Sequence, residues 1–323
     1  MREPGLTVLA PDGAEPGRRA PDLTARIGAV VLPNPVMTAS GTAGHGAELM
    51  PLLDLTALGA HVVKSLAAFA WDGNPPPRVH AAGGGMINAV GLQGPGVEAW
   101  LRDDLPALTD AGVRVVASIW GRSVDDYRHA AEMLAAAPSS VVAVEVNLSC
   151  PNLEGRRGIF AHDPALSAAV VDATSGCGRP RWAKLSANTD RVVEVAAAVH
   201  EAGADAVTLI NTLLGLVLDP ATGKAALGAG GGGYSGAPVH PVAVRTVFDV
   251  HAALPALPIV GVGGVATAWD AIELLLAGAS AVQIGTASFA DPRVAATVLA
   301  GVREWCRTRR IDTLAGLIGA AHN

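Results

Sequence analysis

The feature that most constrains the fold is a regular alternation of short β-branched runs with alanine- and leucine-rich stretches. This alternation predicts parallel strands joined by helices, because parallel strands need a long crossover connection and a helix usually supplies it. The predicted strands are NPVMTAS (34–40), HVVKS (61–65), VRVVASI (113–119), VVAVEVNLS (141–149), WAKLSA (182–187), AVTLINT (206–212), PIVGVGG (258–264) and AVQIGT (281–286). Eight strands in this arrangement predict an α/β fold, a (β/α)8 TIM barrel, whose active site lies at the carboxyl ends of the strands.

Helices are predicted between the strands, among them 123–136, 189–202, 239–253 and 267–277. Asp190 and Thr267 stand near two helix starts as N-cap candidates, and Gly203 and Gly278 fall just past two helix ends. Two connections, 66–91 and 213–237, are too long for simple loops and follow strands two and six. Because long loops in compact domains usually bind ligands, we expect both to contribute to the active site.

The length of 323 residues, half of them hydrophobic, suits one barrel of about 250 residues with additions. Residues 1–21 are rich in proline, glycine and charge, and they are predicted to be a flexible N-terminal extension without the apolar core of a signal peptide. Residues 22–323 are predicted to form a single barrel domain.

Composition argues against several classes of partner. The net charge of -6 leaves no basic surface for nucleic acid, and no apolar run reaches the roughly 18 residues that span a bilayer. The three cysteines include no C-x-x-C pair, which argues against both a disulfide framework and a self-contained zinc site. We therefore expect a soluble cytoplasmic protein that binds no metal.

Two lysines and two glycine pairs indicate an anionic ligand. Lys64 and Lys184 lie in apolar strands, where they either extend their ammonium groups to solvent or face an anion inside the barrel mouth. GVGGV (261–265) and IGTA (284–287) follow strands seven and eight. Barrels often bind phosphate at these two places, so a phosphate-bearing ligand is favoured.

The stretch VNLSCPN (146–152) places polar side chains at the end of a buried strand. Cys150 is either a buried structural thiol or a nucleophile or base, since an ordinary thiol pKa of about 8.5 needs little lowering to act near neutrality. The amides of Asn88, Asn147, Asn152 and Asn211 are expected on the same face. Convergent amides indicate a flat ligand with several carbonyl and N–H groups, such as a pyrimidine.

The chain resembles the class 1 dihydroorotate dehydrogenases. The resemblance spans roughly residues 22–295 and is carried by NPVMTASGTAGHG, GNPPPRV, GGGMINAVGLQGPGVEAW, VNLSCPN, INTLLG, GGYSGAPVHPVAVR and PIVGVGGV. The NPPPR and GLQxPGVEA segments look most like the class 1B catalytic subunit. The resemblance implies bound flavin mononucleotide (FMN) and oxidation of dihydroorotate to orotate in pyrimidine biosynthesis.

Site residues carry over position by position from this resemblance. Cys150 is the implied catalytic base, which removes the C5 proton while a hydride leaves C6. The implied substrate-binding residues are Lys64, Asn88, Val90, Gly91, Leu92, Asn147, Asn152, Asn211 and Thr212. The implied FMN-binding residues are Ser40, Gly41, Lys64, Ser65, Asn147, Lys184, Ile210, Gly236, Gly263, Gly264, Gly285 and Thr286.

The chain departs from the family pattern at several positions. Ala89 and Gly94 stand where the family commonly has serine and asparagine, and His240 stands where it has lysine. Trp120 replaces a residue that is usually small. Cys150 and both lysines are retained, which favours flavin chemistry.

Three alternatives remain open at this stage. A relative acting on another dihydropyrimidine is disfavoured by Lys64, which suits a substrate carboxylate. A barrel that only binds a nucleotide or flavin is disfavoured by Cys150. The class 1B resemblance implies a homodimer that passes electrons to NAD through a subunit carrying FAD and an iron–sulfur cluster, whereas class 1A relatives use fumarate.

Overall fold

The computed structural model describes residues 20–149, 151–152 and 158–322. The predicted N-terminal extension, 1–21, lies almost wholly outside these residues. The strands, in chain order, are β1 (Ala25–Ile27), β2 (Val30–Leu32), β3 (Val36–Thr38), β4 (His61–Val62), β5 (Val79–Ala82), β6 (Gly85–Asn88), β7 (Val115–Ile119), β8 (Val141–Asn147), β9 (Pro151–Asn152), β10 (Gly158–Ile159), β11 (Arg181–Lys184), β12 (Ala206–Leu209), β13 (Leu213–Gly215), β14 (Gly232–Ser235), β15 (Ile259–Val262) and β16 (Ala281–Ile284).

Eight strands form one parallel sheet in the order β3-β16-β15-β12-β11-β8-β7-β4. The sheet closes between β3 and β4, where Met37 bridges Ala60 in parallel and the Gly59 N–H donates to the Val36 carbonyl at 2.8 Å. The strands are those expected from the apolar runs, so the (β/α)8 prediction is confirmed.

The helices lie outside this barrel and cover its apolar wall. They are α1 (Val97–Ala99), α2 (Leu105–Asp110), α3 (Val124–Leu134), α4 (Pro164–Ala173), α5 (Val192–Glu201), α6 (His240–Ala253), α7 (Ala268–Ala277) and α8 (Val294–Thr308). A π-helical turn, Trp100–Asp104, joins α1 to α2. None of the helices in the described part of the chain is both long and apolar enough to cross a membrane.

The helix ends test the capping predictions. Thr267 caps α7 and forms a reciprocal capping box with Asp270, as its position indicates. Asp190 is not a cap, because α5 begins one residue later and Arg191 occupies the N-cap position without a side-chain hydrogen bond. The link from β3 to β4 also differs from a regular strand–helix unit, since its described helical structure is a single 3-10 turn, Leu55–Ala57.

The two long loops form a structure of their own at the barrel mouth. They supply a four-stranded antiparallel sheet in the order β13-β14-β6-β5, with β5 and β6 from the first loop and β13 and β14 around the second. Residues about 145 positions apart are thereby paired, as in the Asn88–Gly233 register. This small sheet forms part of one side of the mouth, over the carboxyl ends of the barrel strands.

Candidate active site

A cavity of about 1070 Å³ opens at the carboxyl ends of the barrel strands. The predicted site residues that line it are Ser40, Gly41, Lys64, Ser65, Asn88, Val90, Gly91, Leu92, Asn147, Lys184, Ile210, Asn211, Thr212, Gly236, Gly263, Gly264, Gly285 and Thr286. Cys150 lies outside the described residues, although its neighbour Ser149 lines the cavity. Only the backbone of Asn152 is described, paired with Gly158 in a short antiparallel bridge between β9 and β10.

The floor of the cavity holds a buried ion pair. Lys184 Nζ lies 3.4 Å from Oε1 of Glu145, whose side chain is fully buried inside the barrel. Oε2 of Glu145 also accepts hydrogen bonds from Gln283 Nε2 at 2.6 Å and Thr208 Oγ1 at 3.2 Å. These contacts join β8, β11, β12 and β16. Buried charged groups require such partners. The contact with Glu145 therefore fixes the position of the Lys184 side chain beneath the ligand space.

Asn147 stands at the centre of the polar network. Its Nδ2 donates to Ser65 Oγ at 3.2 Å, and its Oδ1 accepts from Asn211 Nδ2 at 3.1 Å and from the Ser149 N–H at 3.2 Å. Ser65 Oγ lies 3.2 Å from Ser40 Oγ. This network fixes the orientation of the amides, so their remaining polar atoms have defined directions.

The segment 88–93 forms a tightly held rim. Gly91 and Leu92 both have positive φ values, 75° and 63°, and Leu92 is one of few residues other than glycine in that region. Asn74 donates from its backbone N–H to Val90 O at 3.1 Å and from Nδ2 to Ala89 O at 3.1 Å. The Trp71 indole Nε1 donates to Gly91 O at 3.0 Å. These bonds to the carbonyls of Ala89, Val90 and Gly91 hold the rim backbone in the conformation that the positive φ values require.

Arg78 ties the first long loop to this rim. Its guanidinium donates to the carbonyls of Asp72 and Asn74 and, at 2.5 Å, to the side-chain oxygen of Gln93. Arg78 is the arginine of the NPPPR motif, so the structure gives that motif a supporting role beside the rim.

Lys64 also lines the cavity, and it lies near His45. Gly41, whose φ of 86° favours glycine, lies next to Lys64, since a Cβ built there would be 3.9 Å from Lys64 Nζ. His45 Nε2 is buried close to Gly94, the position where the family commonly has asparagine. Burial, and then the charge of Lys64, lowers the pKa of His45, which favours the neutral ring beside the lysine.

The other end of the cavity is built largely from glycine backbone. Gly263 and Gly264, with φ values of 140° and 70°, follow β15, and Gly285 and Thr286 follow β16. Thr286 Oγ1 donates to Ser235 Oγ at 2.8 Å. Glycine at these turns lets backbone N–H groups approach an anion closely, as the sequence indicates.

Several residues of the site were not foreseen from the sequence. Glu145, Trp71 and Asn188 are examples, and Asn188 lines the cavity while its Nδ2 donates to Thr212 O at 3.0 Å. Glu145 was detectable by the reasoning applied to the lysines, because it is a charged residue inside the apolar run VVAVEV. Trp71 and Asn188 offered no such signal, since tryptophan and asparagine are ordinary in loops.

Comparisons with known proteins point to one family. The family model described as dihydroorotate dehydrogenase matches residues 22–305. The chain is 47% identical over 297 residues to the protein named dihydroorotate dehydrogenase B (NAD(+)), catalytic subunit, of Desulforudis audaxviator, covering 92% of this chain and 96% of that protein. It is 42% identical over 301 residues to the protein of the same name from Geotalea daltonii, covering 93% and 98% of the two chains.

Proposed function

Because the chain belongs to the dihydroorotate dehydrogenase family, we propose that it oxidises dihydroorotate to orotate in pyrimidine biosynthesis. The observation that carries this proposal is one cavity in which Lys64 and three of the asparagines expected to bind substrate lie beside the glycine turns. A carboxylate-bearing pyrimidine has the anion, carbonyl and N–H groups that these side chains complement.

The residues of the cavity fit FMN as the cofactor. A volume of about 1070 Å³ exceeds what one drug-sized ligand usually fills, which leaves room for a flavin and a small substrate together. The turns at Gly263–Gly264 and Gly285–Thr286 suit the phosphate, and Lys184 at the floor suits a ring that gains negative charge on reduction. Bound FMN supplies an acceptor for the hydride.

The chain's own residues perform the remaining tasks. Lys64 binds the substrate carboxylate, and Asn88, Asn147 and Asn211 orient the pyrimidine edge. Cys150 removes the C5 proton as the bond between C6 and its hydrogen breaks. Lys184 stabilises the negative charge that arrives at the cavity floor, with Glu145 holding its side chain in place.

Electrons then leave through a partner. The related proteins are each named the catalytic subunit of an NAD(+) enzyme, which supports a separate subunit for electron transfer. An FAD and iron–sulfur subunit is our assignment, since a [2Fe–2S] cluster takes four close cysteine ligands and this chain has three cysteines, distant in sequence. We assign a homodimer to the chain itself, from its resemblance to class 1B catalytic subunits, and the cytoplasm as its location, which agrees with the free, buried thiols of Cys177 and Cys306.

The substrate is tested by anaerobic absorbance spectroscopy of the purified protein. Dihydroorotate should bleach the flavin spectrum, and dihydrouracil at the same concentration should not. Bleaching by dihydrouracil alone would instead identify a relative that acts on another dihydropyrimidine. A yellow protein that neither compound reduces would indicate a barrel that binds flavin without catalysis.

The acceptor is tested by steady-state assays with NAD, fumarate, quinone and an artificial dye. We expect the isolated chain to reduce the dye with dihydroorotate and to reduce NAD slowly or not at all. Rapid NAD reduction without an added protein would exclude the partner. Efficient turnover with fumarate would support the class 1A alternative.

A further inference from the structure

His240 connects the glycine turn after β15 to the neighbouring helix α7. It is the first residue of α6 and is largely buried. Its Nδ1 lies 2.8 Å from the carbonyl oxygen of Gly263, and its Nε2 lies 3.2 Å from Oε2 of Glu273 and 3.9 Å from Oδ1 of Asp270. The imidazole is therefore packed against the segment that we expect to bind the cofactor phosphate.

The contacts hold both ends of the loop 263–267. At its start, a Cβ built on Gly264 would be 2.7 Å from Cβ of His240, so the turn packs directly on the beginning of α6. At its end, Oδ2 of Asp270 accepts from the N–H groups of Ala266 and Thr267 at 3.0 and 2.7 Å. His240 and Asp270 together position the backbone between them.

The groups around the His240 ring are acceptors and carboxylates. Both ring nitrogens face atoms that can only accept hydrogen bonds, the Gly263 carbonyl on one side and two carboxylates on the other. The ring donates to both the Gly263 carbonyl and Glu273 Oε2 when each nitrogen carries a hydrogen, whereas Asp270 Oδ1, at 3.9 Å, lies beyond hydrogen-bond distance. The nearest other cation on α6 is Arg245, which is paired with Asp249 and is mostly exposed. Without a cation at position 240, Asp270 and Glu273 would repel an anion in the loop.

We propose that His240 is a positioning residue that gives this cavity its preference for a phosphorylated flavin over the same flavin without phosphate. The proposal deepens the proposed function and rests on it. The family pattern that the chain resembles has lysine at this position, and the His240 ring here lies between the Gly263 carbonyl of the loop and the carboxylates of α7. His240 does not line the flavin-sized cavity, so it acts through the backbone of Gly263 and Gly264.

The test compares the affinities of FMN and riboflavin, which differ by the phosphate alone. Dissociation constants are measured by quenching of flavin fluorescence on the full-length chain after removal of bound flavin. The variants are His240→Gln, His240→Ala and His240→Lys. The matched control is His129→Gln, which replaces an exposed histidine that also lies beside a carboxylate, Asp125, on α3.

We expect His240→Gln to weaken FMN binding about tenfold, the effect of one hydrogen bond to a charged group, with riboflavin affinity unchanged. His240→Lys should retain most of the FMN affinity, and His240→Ala should lose at least as much as His240→Gln. Circular dichroism and thermal unfolding identify any variant that does not fold. If His240→Ala fails this check, His240→Gln and His240→Lys still decide the question.

Two results would overturn the inference. Equal losses of FMN and riboflavin affinity would show that His240 only supports the fold, and unchanged affinity for both would show that the loop does not depend on it. Failure of the proposed function looks different, because the unsubstituted chain would then either bind neither flavin or bind FMN that dihydroorotate does not reduce.

Discussion

The barrel wall and the cavity mouth are stabilised by different kinds of contact. The wall consists of strands whose side chains are nearly all buried and mostly apolar, with buried polar residues such as His61, Ser118 and Thr208 among them. The mouth consists of glycine turns, amide networks and a small sheet made from two distant loops. The wall should therefore determine the free energy of unfolding, and the mouth should determine binding and turnover. Substitutions in each region test this division.

The largest effect is expected at the mouth, for Cys150→Ala. Removal of a general base typically lowers the rate about 10²- to 10⁴-fold, so turnover with dihydroorotate should fall by that factor. FMN affinity and the midpoint of thermal unfolding should match the unsubstituted protein. Cys150→Ser should keep some activity, best at raised pH, because a hydroxyl is a much weaker acid than a thiol. Unchanged turnover in Cys150→Ala would show that the thiol is not the base.

The next largest effect is expected in the wall, where His61 should make the free energy of unfolding depend on pH. Its Nδ1 lies 3.0 Å from Thr38 Oγ1, and its Nε2 is buried without a hydrogen-bond partner among the residues described. Burial lowers the pKa of His61 to about 4. The unfolded chain then binds more protons than the folded chain between pH 4 and an ordinary histidine pKa of about 6.5. Stability is therefore intact above about pH 6.5 and declines as the pH falls toward 4.

Urea unfolding at pH 7 and pH 5 measures this dependence. The free energy of unfolding should decrease by about 2 kcal/mol between the two values because of His61. His61→Gln should remove most of that difference, whatever its effect on stability at pH 7. If the variant keeps the full difference, other groups cause the acid sensitivity. His61 in the wall would then not determine how the free energy of unfolding depends on pH.

Lys64 should give a smaller effect at the mouth. Lys64→Ala removes the proposed partner of the substrate carboxylate, and a hydrogen bond to a charged group corresponds to roughly a ten- to hundredfold change in affinity. The dissociation constant of orotate, measured by its perturbation of the flavin spectrum, should rise by that factor. Lys184→Ala is the matched comparison, since it should lower the flavin reduction potential and affect orotate binding less. Equal orotate affinities in Lys64→Ala and the unsubstituted protein would exclude the carboxylate role.

The two regions also differ in how far the sequence predicts them. The wall follows from local pattern, because apolar runs such as VVAVEV and PIVGV identify strands without knowledge of their neighbours. The mouth depends on contacts between distant segments, such as Trp71 with Gly91 and Asn88 with Gly233. The resemblance named many of the residues that line the cavity, although not Asn188. It did not indicate which side chains hold them, since those bonds depend on how two long loops fold over the barrel.

The smallest effect, on the KM for dihydroorotate, is expected for a substitution of Trp71. This residue supports the rim without lining the cavity. Trp71→Phe removes the hydrogen bond from the indole Nε1 to Gly91 O but keeps an aromatic ring between Phe69 and Trp120. One such bond contributes about 0.5–1.5 kcal/mol, so the KM for dihydroorotate should rise about two- to tenfold. The kcat and the FMN affinity should change little, because the bond removed is to Gly91, in the rim that we expect to hold the substrate. Trp269→Phe is the matched control, since that exposed tryptophan on α7 lies outside the cavity lining. A loss of FMN affinity in Trp71→Phe, with an unchanged KM, would show that the two ends of the mouth are coupled and that the rim is not specific to the substrate.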